Sequence, residues 1–187
     1  VSGSWWSGSP DERGIPHTMM ADGAPNGYSI ISFDGTEYDL DFRAAGRAAS
    51  YQMNILAPEE VTADQTSEIE IFANIFNGSE RSKVEMQVGE SGSWTVMEKI
   101  DDIDPSFNKL SETENAVEGK KYRNLPKAKK STHLWRTKLP AGLKPGTHLI
   151  RIRTVEMDGD KHQSGRVIRV LPAKPAEKTA STSGTEK

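Results

Sequence analysis

Chemistry in this chain would have to come from four histidines (His17, His133, His148 and His162), from carboxylates, and from a loop holding Trp5, Trp6 and Arg13, because there is no cysteine. That absence removes thiolate metal sites, disulfides and a cysteine nucleophile together. No phosphate-cradling Gly-x-x-x-x-Gly-Lys loop, Gly-x-Ser-x-Gly elbow, His-Glu-x-x-His helix or dinucleotide-binding glycine run occurs. His133 and His148 fall on neighbouring predicted strands, where they could face each other. A pair without a nearby carboxylate, however, reads as packed or surface histidine rather than a metal site. Asp158-Gly159-Asp160 resembles the start of a calcium loop but lacks the later ligands and the closing glutamate, so it reads as a hairpin turn. Asn77-Gly78-Ser79 matches a glycosylation sequon, yet Asn-Gly between strands is more simply a turn.

Lys120, Lys121, Arg123, Lys127, Lys129 and Lys130 form a basic cluster diluted by Glu112, Glu114 and Glu118, with only Tyr122 to stack on a base. It reads as a solvated loop, and no nucleic-acid partner is expected. Trp94 and Trp135 lie inside strand patterns and are expected as core anchors. Trp5, Trp6, Arg13 and His17 differ, because they sit in a Gly-, Ser- and Pro-rich loop where aromatic and polar residues mix. Such a loop serves a site or covers an interface, and packing against a neighbouring portion of a larger protein is the stronger reading.

The elements that must position these residues are strands. The chain has 187 residues, 34% of them apolar, and a net charge of −3 with acids and bases interspersed, which suits a modest β-rich core and carries no bias toward polyanions. No apolar run approaches the roughly 20 residues that span a bilayer, so no membrane insertion is expected. Tyr28 to Phe33, an Asp34-Gly35 turn, and Glu37 to Phe42 predict a β-hairpin in which Tyr38, Leu40 and Phe42 alternate with acids. Seven further short strands are read at 52–56, 68–76, 83–88, 94–100, 133–139, 147–155 and 166–171, suggesting an antiparallel sandwich. Asp104-Pro105 predicts an N-cap and first helical residue, opening a short helix through Phe107, Leu110 and Glu114. That helix lies in a long 101–132 insertion, which calls for a packing or functional reason. The tail from 172 to 187 has nothing to bury and is expected to be disordered.

One family resemblance emerges from Gly3-Ser4-Trp5-Trp6-Ser7-Gly8, Gly14-Ile15-Pro16 and Met20-Ala21-Asp22-Gly23-Ala24-Pro25-Asn26-Gly27-Tyr28, with His133-Leu134-Trp135 and Leu143-Lys144-Pro145-Gly146-Thr147-His148 farther on. Together these stretches resemble the C-terminal region of bacterial calcineurin-like phosphoesterases of the Bacteroides type. Of the family's metal motifs (Asp-x-His, Gly-Asp, Gly-Asn-His-Asp/Glu, Gly-His-x-His) only Gly159-Asp160 and the overlapping Asp160-Lys161-His162 match, on a predicted turn and without the companion motifs, so no catalytic or metal-binding residue is carried over.

The resemblance implies an all-β chain with an Ig-like antiparallel β-sandwich at 48–171. A seam segment with its hairpin, at 1–47, would border or complete a catalytic domain that precedes it. It further implies a non-catalytic module of a phosphate-ester hydrolase, with no cofactor of its own and a dimetal centre only in the catalytic domain. The expected partner is that upstream domain, and the expected location is periplasmic or secreted. By analogy alone, Trp5, Trp6, Arg13 and His17 would lie at the cleft rim, Arg13 pairing with a phosphate oxygen and His17 donating a hydrogen bond. The alternative is a free-standing β-sandwich that binds glycan or another cell-surface polymer.

Overall fold

The computed structural model describes residues 7–157 and 159–173, so Trp5, Trp6, Asp158 and the tail from 174 onward lie outside the described residues. In chain order the strands are β1 (Gly27–Asp34), β2 (Glu37–Ala44), β3 (Met53–Leu56), β4 (Glu60–Thr62), β5 (Glu70–Ile75), β6 (Lys83–Val88), β7 (Thr95–Val96) and β8 (Glu98–Ile103). A helix, α1 (Pro105–Asn115), precedes β9 (Lys130–Lys138), β10 (Gly146–Val155) and β11 (Lys161–Leu171). They build a five-stranded sheet, β4-β11-β10-β6-β7, a four-stranded sheet, β3-β5-β9-β8, and a separate two-stranded sheet, β1-β2.

Period-2 alternation decides which side chains meet between the two large sheets. Ile71, Ala73 and Ile75 of β5 turn inward against Val84 and Met86 of β6, Ile150 and Ile152 of β10, and Ile168 and Val170 of β11. Trp135 of β9 fills the same core and is almost completely buried. Its ring lies so close to Gly78 that a Cβ there would stand 2.6 Å from the indole. The Asn77-Gly78 turn is therefore fixed by core packing as much as by turn preference.

The structure departs from sequence expectation at several points. The single strand expected at 94–100 is two strands in different sheets: β7 pairs with β6, and β8 pairs with β9, with buried Met97 at the crossing. Trp94 is not a core anchor. It lies half-buried outside the sandwich with the Arg153 guanidinium 4.1 Å from its ring centroid. His133 and His148 do not face each other, because β9 and β10 belong to opposite sheets. Consecutive strands in a sandwich often switch sheets, and alternation alone does not reveal it. β4 was not anticipated and runs parallel to β11 in an otherwise antiparallel pairing scheme.

The predicted helix forms with the expected cap. The Asp104 side chain accepts from the Ser106 and Phe107 backbone N–H groups, Pro105 occupies the first turn, and Phe107 is buried.

Candidate functional site

Residues 7–26 form no strand, yet they are fastened to the sandwich at two points. At the first, the insertion holds the loop. Gly8 N–H donates to the Arg123 carbonyl at 2.9 Å, and the Glu114 carboxylate accepts from Ser9 N–H at 2.9 Å and from Ser9 Oγ at 2.7 Å. His17 Nε2 lies 2.9 Å from the same Glu114 Oε1. The His17 ring packs against Gly8, where a Cβ would stand 2.5 Å from Nε2 and φ is +81°. Serine and imidazole thus converge on one carboxylate, which clasps the loop to α1. Burial opposes ionisation of Glu114, but the two Ser9 donors and His17 outweigh it and hold its carboxyl below the usual range.

At the second point the Asp22-Gly23 turn inserts into a buried polar node. Asn74 Nδ2 donates to Asp104 Oδ2 at 2.6 Å and to the Asp22 carbonyl at 3.0 Å, while Asn74 Oδ1 lies 2.7 Å from His133 Nδ1. His133 Nε2 lies 3.4 Å from Asp22 Oδ2. Gly23 has φ +85°, and a Cβ there would meet Asp104 Oδ2 at 2.6 Å, so glycine is the residue this turn accepts. Burial raises the Asp22 carboxyl, but His133 and the Ala24 N–H more than offset it, and the net shift is downward. The cap that starts α1 therefore also anchors the turn that leads into β1.

From that anchor the β1–β2 hairpin projects. Asp34 pairs with Glu37, so the loop is Gly35-Thr36 with Gly35 at φ +61°, one residue beyond the Asp34-Gly35 pair expected. Only the base of the hairpin rests on the sandwich. The Phe42 ring packs on Phe76 with centroids 5.7 Å apart, Asn77 Nδ2 donates to the Leu40 carbonyl, and Gln52 Nε2 donates to the Phe42 carbonyl. Along the hairpin Tyr28, Ile30, Ile31, Phe33 and Tyr38 are exposed, from 46% for Ile30 to 76% for Phe33, and Phe33 and Tyr38 lie beyond the base. The register places Ile31, Phe33, Tyr38, Leu40 and Phe42 on one face. Under the overhanging tip runs an open groove of about 650 Å³, walled by Phe33, Tyr38, Met157 and Arg81 among others.

The expected site residues are not gathered into one constellation. Arg13 is an exposed fork pairing with Asp11, Nη2 to Oδ2 at 2.8 Å and Nε to Oδ2 at 3.0 Å, and the same carboxylate caps the Ile15 N–H. His17 belongs to the Glu114 clasp, and Trp5 and Trp6 fall outside the described residues. His148 is engaged with the Lys144 carbonyl. Among the described residues no three of His, Asp, Glu or Cys are placed to hold a metal ion. The residues that matter most and were missed are Asn74 and Glu114. Their signals in the sequence are an Asn breaking the apolar run of β5 and one of three acids, Glu112, Glu114 and Glu118, around the end of α1, with nothing to single it out.

The sequence model of the family described as the C terminal of calcineurin-like phosphoesterase matches residues 1–162. No curated protein matches. Among solved structures, the crystal structure of CopC from Methylosinus trichosporium OB3b is similar at 12% identity and a TM-score of 0.36, covering 65% of this chain and 93% of that one.

Proposed function

This chain belongs to the C-terminal family of calcineurin-like phosphoesterases, and on that premise we propose that it is a non-catalytic accessory module that stabilises the phosphoesterase domain of the same polypeptide. The observation that carries the reading is the overhanging hairpin. Its exposed Ile31, Phe33 and Tyr38 lie on one face and Tyr28 and Ile30 on the other, apolar surface that a neighbouring domain would cover. A two-stranded sheet is marginal in water, and each large apolar side chain buried by a neighbour contributes roughly 1.5–3 kcal/mol. The two fastenings at Glu114 and at Asn74 support the same reading, because they fix where the hairpin starts and how far it stands from the sandwich.

In this reading the Ig-like sandwich is the rigid platform, and residues 7–26 with the hairpin are the seam. The Arg13 guanidinium, exposed beyond its pairing with Asp11, and the loop bearing Trp5, Trp6 and His17 would border the phosphate cleft of the neighbouring domain. A periplasmic or secreted location goes with this proposal. Among the described residues no helix is long and apolar enough to cross a membrane.

The test is direct. This chain alone, supplied with Mn²⁺ and p-nitrophenyl phosphate, should give no turnover above the metal-only blank. Turnover that a chelator abolishes would sink the non-catalytic reading. A saccharide-binding module is disfavoured at the two described tryptophans, since Trp135 is buried and Arg153 covers the Trp94 ring. Quenching of tryptophan fluorescence by a polysaccharide would revive it.

A further inference from the structure

Backbone alternation shows which edge of the hairpin is open. Ala45 N–H donates to the Asn26 carbonyl at 2.8 Å, and Asn26 with Ala45 extends the register in which Gly27 faces Ala44 and Tyr28 faces Arg43. In an antiparallel ladder hydrogen-bonded pairs alternate with non-bonded ones. The bonded residues of β1 are therefore Tyr28, Ile30, Ser32 and Asp34. Ser29, Ile31 and Phe33 turn their N–H and C=O groups away from β2, and on β2 the residues turned away are Tyr38, Leu40 and Phe42.

The two edges then have different fates. On β2, the outward carbonyls of Leu40 and Phe42 are taken by the side chains of Asn77 and Gln52, so that edge faces the sandwich and is engaged. The edge of β1 faces away from the sandwich. The edges of the large sheets are short or charged, and the stretch of β11 that β4 leaves unpaired, 161–168, carries Lys161, His162 and Arg166. β3, β4 and β7 are four, three and two residues long, and β8 carries Glu98, Lys99, Asp101 and Asp102 with a register shift between Ile100 and Asp102. β1 is eight residues long, holds no lysine or proline, and its only charge is Asp34 at the tip. A long, uncharged, apolar edge is the kind that folded proteins leave only where a partner strand pairs with it.

We propose that the free edge of β1 accepts a strand from the phosphoesterase domain of the same polypeptide, so that the hairpin becomes the outer two strands of that domain's sheet. This rests on the accessory-module reading and adds its mode: strand addition, in which backbone bonds at Ser29, Ile31 and Phe33 fix the register while Ile31 and Phe33 also bring apolar side chains. The occupant follows from the family, whose C-terminal region shares its chain with a phosphoesterase domain, and from continuity with the apolar face that domain is proposed to cover. A second copy of this chain is the competing occupant.

Amide hydrogen exchange, resolved by residue, tests it. In this chain alone the amides of Ile30 and Ser32 exchange slowly and those of Ser29, Ile31 and Phe33 quickly. In the parent polypeptide the latter three slow by on the order of 100-fold or more. Ser29→Pro removes one outward N–H without touching a β1–β2 bond and should abolish the added protection at Ile31, whereas Ser29→Ala should preserve it. Equal exchange in both proteins overturns strand addition. If the side chains of Phe33 and Tyr38 are nevertheless shielded in the parent, the accessory-module reading survives and only this mode fails. Protection that appears in this chain alone and grows with its concentration overturns the proposal in favour of self-pairing. Should Ser29→Pro melt the hairpin, seen as loss of Ile30 protection in this chain, the wild-type comparison still decides.

Discussion

At the residue scale, one carboxylate does two jobs. Asp104 caps α1 and receives Asn74 in the node that seats Asp22 and Gly23. Asp104→Ala should therefore cost more than an ordinary cap, about 2 kcal/mol or above, because it leaves a buried Asn74 donor unpaired. Urea denaturation should show a lower midpoint with an unchanged slope. Acid acts on the two fastenings through Glu114 and Asp22, both of which ionise more readily folded than unfolded. Each contributes stability that is fully present above its ordinary value, 4.5 for Glu114 and 3.8 for Asp22, and is lost as the pH falls through its lower folded value. Acidification below that range should release residues 7–26 before the sandwich core opens, as peptic cleavage in that segment would report. Glu114→Gln should weaken the first clasp already at neutral pH and remove its share of the acid response.

At the element scale, the hairpin and the core answer differently to mutation. Phe33→Ser with Tyr38→Ser should leave the stability of this chain within about 0.5 kcal/mol, since both side chains are exposed, and should lower the melting temperature of the parent polypeptide. Trp135→Ala should instead cost about 3–5 kcal/mol in this chain by emptying the core, read by the same denaturation. What the sequence revealed follows the same division. The hairpin and α1 were legible because alternation around Gly35 and the Asp104-Pro105 pair are local signals. The hairpin turn shifted by one residue because a two-residue loop is closed by Asp34 and Glu37, leaving Gly35 to take the positive φ. β4 escaped because three residues with one apolar side chain carry no period. The switch at Met97 escaped because alternation marks which face a side chain takes and not which sheet its strand joins. The purpose of the insertion was illegible for a different reason: its bonds to Ser9 and His17 span about a hundred residues.

At the scale of the whole molecule, the β1–β2 hairpin projects from the sandwich. A buried polar node at Asn74 and a part-buried clasp at Glu114 hold residues 7–26, the base of the hairpin leans on Phe76 and Asn77, and the distal apolar half stands clear. In the proposed reading this chain supplies a surface to the phosphoesterase domain. Hydroxyl-radical footprinting of Tyr28, Phe33 and Tyr38, in this chain and in the parent polypeptide, tests that claim most directly. All three should be oxidised readily in the isolated chain and be strongly shielded in the parent. Equal oxidation in the two proteins would show the hairpin uncovered in both, and the accessory-module account would be wrong.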